Sequence, residues 1–300
     1  MKAWINGKFT DSDKATVPLL SHSFSRGTAL FEVMDIVANV KGPAYFGLTE
    51  HINRLFHSAK LMRMDLPFGP EEIMEACVLT ARENGIREGG AKLYAYYPSV
   101  EYTVLPKNPR IDVAVFTFDF GELGVSREEL RSPAKVGISS YRKMDPDIVP
   151  IHAKVTGNYV NAYLAMMEAR DKNLDEVLLV DTRGCVAEGV TSSAFFVKEG
   201  VLRVPPLDKV LSGITRMAVI ELARDLGIPM EVAEILPGDL LTIDEGFFAS
   251  TFEHVRPMRS IEGKALGSEC PGPVTRKIFE AISELLSGRN EKYLRWLRFV

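Results

Sequence analysis

Residues 120–133 constrain the architecture of this chain more than any other stretch. They carry three glycine, proline or serine breaks and mixed charge, the composition of a connection between domains. The 300 residues are therefore expected to form a small domain over residues 1–120, a linker over residues 121–133 and a larger domain over residues 134–300.

The pattern on either side is mixed. Residues 3–9 alternate in polarity around Asn6-Gly7, a hairpin signature. Residues 30–40, rich in β-branched and aromatic types, predict a strand that turns at Lys41-Gly42-Pro43 and returns through Ala44-Tyr45-Phe46. Thr49 is the expected N-cap of a helix through Ile52, Leu55, Phe56, Ala59 and Leu61. Gly69-Pro70 opens a second helix carrying Ile73, Met74, Cys77, Val78 and Ala81, ended by Gly85. Residues 92–97 and 111–118 read as strands. In the second half, strands are expected over 135–141, 176–181, 193–197, 201–204 and 247–250. Helices are expected over 215–226 and 274–286, and an apolar one through Val160, Tyr163, Leu164, Met166 and Met167. The fold class is α/β, more strictly α+β, in two domains.

Composition narrows the partners. Hydrophobic residues make up 46% and charged residues 25%, with a net charge of −4 and no basic block, so nothing recommends nucleic acid. No run of 18 apolar residues predicts a membrane helix, and residues 1–8 lack a signal-peptide core. Cys77, Cys185 and Cys270 are odd in number and far apart, as in a reduced, cytoplasmic protein. The five histidines show no metal-ligand spacing, so no metal is expected.

One stretch carries chemistry. Residues 151–160, Ile-His-Ala-Lys-Val-Thr-Gly-Asn-Tyr-Val, place Lys154 between Ala153 and Val155 at the approach to a helix. Desolvation there disfavours the ammonium, and a neutral lysine amine attacks aldehydes. A surface lysine is the plainer alternative. Glu188, after Val186-Ala187, is a carboxylate able to hold a proton on a ring nitrogen, or simply a turn residue. Arg54 can grip an anion, or pair with Glu50 four residues earlier on a helix surface. Ser212-Gly213-Ile214-Thr215-Arg216 leads straight into a helix, where free N–H groups bind phosphate, although ordinary capping uses the same residue types. Ser132-Pro133-Ala134-Lys135 matches S-x-x-K by coincidence, since neither S-D-N nor K-T-G accompanies it. A lysine, a carboxylate, an arginine and a phosphate-ready helix start are together what a phosphorylated aldehyde cofactor requires.

The chain resembles the class IV (fold type IV) pyridoxal-phosphate aminotransferases, most closely the branched-chain amino acid aminotransferases. The resemblance runs through Trp4-Ile5-Asn6-Gly7, Gly27-Thr28-Ala29-Leu30-Phe31-Glu32 and Glu50-His51-Ile52-Asn53-Arg54-Leu55. It continues through Ala153–Tyr159, Glu188-Gly189, Ser212–Arg216 and Gly272-Pro273-Val274-Thr275. It implies two α/β domains with pyridoxal 5'-phosphate in the cleft between them, and a homodimer or multiple of dimers whose partner loop helps to close each site. It implies that Lys154 forms the Schiff base and shuttles the α-proton, that Tyr159 bonds the phenolic oxygen and that Glu188 pairs with the pyridinium nitrogen. Arg54, Ile214, Thr215 and Thr251 would hold the phosphate, Phe31 and Phe252 would contact the substrate, and Arg26 would bind its carboxylate or else be a dimer-interface or loop arginine. The implied reaction is ping-pong transfer of an amino group from a branched-chain L-amino acid to a 2-oxo acid such as 2-oxoglutarate. Departures fall on the substrate side. Val33 stands where the family has glycine, Arg26 where it has tyrosine, and Ser193 where it has asparagine. Lys92 is the only stand-in for an expected arginine, and Phe252 replaces a small residue. They leave open a D-amino acid or (R)-amine transaminase, or an aminodeoxychorismate lyase, on the same fold.

Overall fold

The computed structural model describes residues 1–300 and separates into two compact units. The first contains Met1–Val125, Ala153–Asn158 and Leu285–Val300; the second contains Ser126–His152 and Tyr159–Glu284. The chain thus does not divide once, at residues 121–133. The lysine stretch and the C-terminal segment both belong to the first unit. Main-chain bonding accounts for this. Phe31 N–H donates to the Lys154 carbonyl (3.1 Å) and Gly157 N–H to the Gly27 carbonyl (2.8 Å). Strand Leu297–Phe299 pairs antiparallel with Ala44–Phe46. Residues 120–133 hold two short helices, Phe120–Leu123 and Arg127–Leu130.

The first unit is built on a seven-stranded antiparallel sheet. Its order is Leu297–Phe299, Ala44–Phe46, Leu30–Val37, Gly89–Tyr96, Asp112–Asp119, Lys2–Ile5, Lys8–Asp11. The expected first hairpin forms, with Asn6 and Gly7 both at positive φ (47° and 89°), the requirement of a tight primed turn. Leu30, Met34 and Ile36 are completely buried in one core with Leu48, Ile52, Leu55, Ile73 and Cys77 of helices Leu48–Leu61 and Pro70–Glu83. Each such side chain contributes about 1.5–3 kcal/mol relative to exposure. Thr49 is not the cap of the first helix. Gly47 at φ 64° precedes a helix that begins at Leu48, because the chain must leave Ala44–Phe46 through a left-handed residue. The second helix starts as expected at Pro70, with the Glu72 carboxylate accepting the Gly69 N–H at 2.7 Å.

The second unit has a nine-stranded mixed sheet. Eight strands run in the order Met230–Val232, Val201–Val204, Ser193–Lys198, Glu245–Ser250, His254–Ile261, Ala134–Arg142, Glu176–Val180, Val186–Gly189, and Lys264–Ala265 pairs with His254–Ile261. Ala134–Arg142 and Glu176–Val180 are parallel, so a crossover must join them, and helix Tyr159–Asp171 lies in that connection. Its expected apolar face is not the packed one. Val160 and Tyr163 are 60% and 63% exposed, while Ala165 and Ala169 pack with Val177 and Leu179. Small residues let the helix sit close to the sheet. Strand His254–Ile261 has no counterpart among the expected strands, because Arg256 and Arg259 interrupt its apolar alternation. No helix is long and apolar enough to cross a membrane.

Candidate active site

In the first unit, strand alternation turns Leu30, Glu32, Met34 and Ile36 toward the helices, so a carboxylate occupies a core position. Glu32 is completely buried. It is held by Arg54, whose Nε–H and Nη2–H donate to Oε1 and Oε2 at 2.8 and 2.6 Å, and by His51 Nδ1, 2.7 Å from Oε2. Burial pushes the Glu32 carboxyl up, but the Arg54 charge and the bonds from Arg54 and His51 outweigh it and bring it down to about 2. Burial also lowers His51, with Glu32 opposing. A buried acid needs such partners. Glu50 lies 3.9 Å from Arg295, while Arg54 has an interior partner in Glu32.

Lys154 sits beside this group. Ala153 and Val155 are buried and Lys154 is half-buried. Its C=O accepts the Phe31 N–H and its N–H donates to Ser58 Oγ at 3.1 Å. Its Nζ stands 4.7 Å from the centre of the Phe31 ring. Phe31 stacks with Tyr94 (6.2 Å, 27°), and Tyr94 meets Phe116 edge-on (6.3 Å, 80°). The lysine amine thus faces an aromatic floor made by neighbouring strands. Lys92 is exposed and lies opposite Val33 in the register, two residues along each strand from the Phe31–Tyr94 pair.

The second unit carries the other candidates. Glu188, 7% exposed, lies on strand Val186–Gly189 and pairs with the Lys143 ammonium. Arg216, 5% exposed, donates to the Pro205 carbonyl at 3.0 Å. Burial lowers its guanidinium, and the Glu188 charge opposes that. Helix Ile214–Asp225 starts at Gly213, and its first N–H groups have no intrahelical acceptor. A Cβ on Gly213 would come 2.8 Å from Ser193 Oγ, so a larger residue there would push that hydroxyl aside. Thr215 Oγ1 donates to the Ser250 carbonyl at 2.9 Å, joining the helix start to the turn that holds Thr251 and Phe252. Two arginines brace that turn: Arg127 donates to the Phe252 carbonyl (3.4 Å) and Arg131 to that of Glu253 (3.1 Å). The buried Ser192 hydroxyl, in the turn after Glu188, has no protein partner.

The candidates from the sequence therefore fall into groups. Lys154, Arg54 and Phe31 come together in the first unit; Ile214, Thr215, Thr251 and Phe252 come together in the second, which also holds Glu188. Tyr159 is half-buried at the start of its helix. Arg26, next to the Gly27 that accepts the Gly157 N–H, donates to the Tyr102 carbonyl at 3.3 Å. Glu32, His51, Ser58, Lys143 and Arg216 had no assigned role. The signal for Glu32 was present, since an acid in register with Leu30, Met34 and Ile36 demands a buried partner. Lys143 lay in what reads as a polar loop and gave no such signal.

Comparison with known proteins gives the family. The class IV amino-transferase profile matches residues 29–261, and the chain belongs to that family. The branched-chain-amino-acid aminotransferase of Pseudomonas aeruginosa is 31% identical over 297 residues, covering 99% of this chain and 96% of its own. The crystal structure of the branched-chain aminotransferase from Thermoproteus uzoniensis with norvaline matches with a TM-score of 0.94 at 34% identity, over 99% of this chain and 98% of that one. The branched-chain amino acid aminotransferase from Thermobaculum terrenum, solved in its PLP-bound holo form, matches with a TM-score of 0.92 at 29% identity, over 99% of this chain and 97% of that one.

Proposed function

We propose that this chain is a pyridoxal-phosphate-dependent branched-chain aminotransferase, passing an amino group from a branched-chain L-amino acid to a 2-oxo acid such as 2-oxoglutarate. The observation that carries the reading is Lys154, its main chain fixed at both polar groups and its amine set over Phe31. The residues fit the cofactor. Arg54 and the Gly213–Thr215 helix start are a cation and free N–H groups for phosphate, Glu188 is a buried acid for a ring nitrogen, and the orphaned Ser192 hydroxyl lacks a polar partner. When bound, the cofactor supplies an aldehyde carbon for Lys154 and a ring that accepts electrons.

The chain's own groups do the rest. With the cofactor bound, Lys154 Nζ would hold its aldehyde carbon, and the amine freed by a donor would be the base that takes the proton from the donor's Cα. Glu188, paired with the Lys143 ammonium, would face the ring nitrogen. Tyr159 would donate to the phenolic oxygen, Arg54, Ile214, Thr215 and Thr251 would hold the phosphate, and Phe31, Phe252 and Arg26 would contact the substrate. The same reading pairs the chain with a second copy. Leu19, Phe24, Tyr102, Val104 and Leu105 are 73%, 64%, 77%, 76% and 79% exposed, and these large apolar side chains are what a second copy would cover. It also places the enzyme in the cytoplasm, where its three free cysteines stay reduced.

The test is the visible absorbance of the cofactor-loaded protein as single donors are added. L-leucine and L-glutamate should bleach the resting band. A response confined to D-alanine or an (R)-arylalkyl amine would refute the L-branched-chain assignment.

A further inference from the structure

We propose that Ser58 is a positioning residue for Lys154, acting through one hydroxyl that joins the main chain of the lysine to that of Arg54. Ser58 is 1% exposed. Its Oγ–H donates to the Arg54 carbonyl at 2.9 Å, and its Oγ accepts the Lys154 N–H at 3.1 Å. The lysine carbonyl is taken by Phe31 N–H, the residue before Glu32, and Glu32 grips the Arg54 side chain. A closed circuit results: Lys154 carbonyl, Phe31-Glu32, Arg54, Ser58, Lys154 N–H. Every link lies within the first unit.

A helix serine that bonds the carbonyl four residues back is ordinary, and the chain provides comparisons in its longer helices. Thr80 donates to Ala76 (2.6 Å) and Ser283 to Phe279 (2.7 Å). Neither hydroxyl bonds a residue of the lysine stretch; Ser58 differs by accepting a second bond from Lys154. The helix therefore does more than satisfy its own carbonyl there. It fixes the height of the lysine main chain relative to Arg54, so a phosphate drawn to the guanidinium and a carbon presented to Nζ are set at one spacing. Without the hydroxyl, the Lys154 N–H loses this acceptor, and the lysine main chain is held on the Phe31 side but no longer tied to the Arg54 helix.

This inference rests on Lys154 being the cofactor lysine, and its experiment separates the two. Ser58→Ala, Ser58→Thr and the comparison variant Ser283→Ala are mixed with pyridoxal phosphate, and growth of the visible band is followed with time. Steady-state kcat and KM for L-leucine and thermal melting are measured alongside. Misplacing a reacting group lowers rates by about tenfold or more. Ser58→Ala should lose that factor in band formation and in kcat, with KM changed less than about twofold. Ser58→Thr, which keeps the hydroxyl, should recover most of the rate, and Ser283→Ala should affect melting alone. If Ser58→Ala lowers melting but leaves band formation and kcat as in Ser283→Ala, Ser58 is structural only and the proposal falls. If Lys154→Ala still forms the band, the assignment of the lysine falls instead, whatever Ser58 does.

Discussion

Replacing Glu32 by glutamine tests the charged core of the first unit. The carboxyl ionises at about 2 in the folded protein against an ordinary value of 4.5. That gap corresponds to about 3 kcal/mol of stability at roughly 1.4 kcal/mol per pH unit. The sign follows from the direction. A carboxyl that ionises at lower pH when folded stabilises fully above about 4.5, and the contribution is lost as pH falls toward 2. Glu32→Gln keeps the shape but leaves the Arg54 side chain, 9% exposed, with a neutral partner, and breaking a buried pair costs about 3–5 kcal/mol. Urea unfolding at pH 7 should show a loss of about 3 kcal/mol with an unchanged m-value. At pH 3 the difference should shrink to less than half, because the parent has by then lost most of the same contribution. The double variant Glu32→Gln with Arg54→Met should recover part of the loss, since no unpaired charge remains. A penalty at pH 7 below about 1 kcal/mol, or one equal at pH 3 and pH 7, would refute the reasoning.

Three further outcomes follow from the geometry. Burial raises Glu176 to about 7, against N–H donation from Val190 and Val177. This group's destabilisation is absent below about 4.5 and complete above 7, so Glu176→Gln should be more stable than the parent by about 3 kcal/mol in urea at pH 8, and no more stable at pH 4.5. Gly157→Ala would place a Cβ 2.9 Å from the Gly27 carbonyl oxygen; it should lower unfolding stability by roughly 1–3 kcal/mol and slow reaction of Lys154 with pyridoxal phosphate. Gly213→Ala, crowding Ser193 Oγ at 2.8 Å, should weaken cofactor affinity about tenfold by fluorescence titration, while melting of the cofactor-free protein stays close to the parent.

Local chemistry was readable in the sequence where one residue type permits one geometry. Asn6-Gly7 admits the positive φ of a tight hairpin, and Gly69-Pro70 followed by Glu72 opens a helix; both features form. Lys154, Glu188 and the helix start at Gly213 stand out in the sequence because each proposed role needs a particular residue type. Long-range pairing was not. Nothing in residues 151–160 states that their backbone bonds to Gly27, Ala29 and Phe31, so a linear division missed the return of the lysine to the first unit. The helix after Lys154 misled for another reason. Its large apolar residues suggested a buried face, but close packing on the sheet selected Ala165 and Ala169. Lys143 escaped notice because an ion pair reaching past an intervening strand, Glu176–Val180, leaves no trace in local spacing.

The central claim is that Lys154 is the amine that binds the cofactor. The measurement that tests it most directly is borohydride reduction of the pyridoxal-phosphate-loaded protein, followed by proteolysis and peptide mass spectrometry. The account predicts a phosphopyridoxyl group on the peptide containing Lys154 and its absence from the Lys154→Ala protein. Labelling of a different lysine, or of none in a protein that still turns over L-leucine, would contradict it.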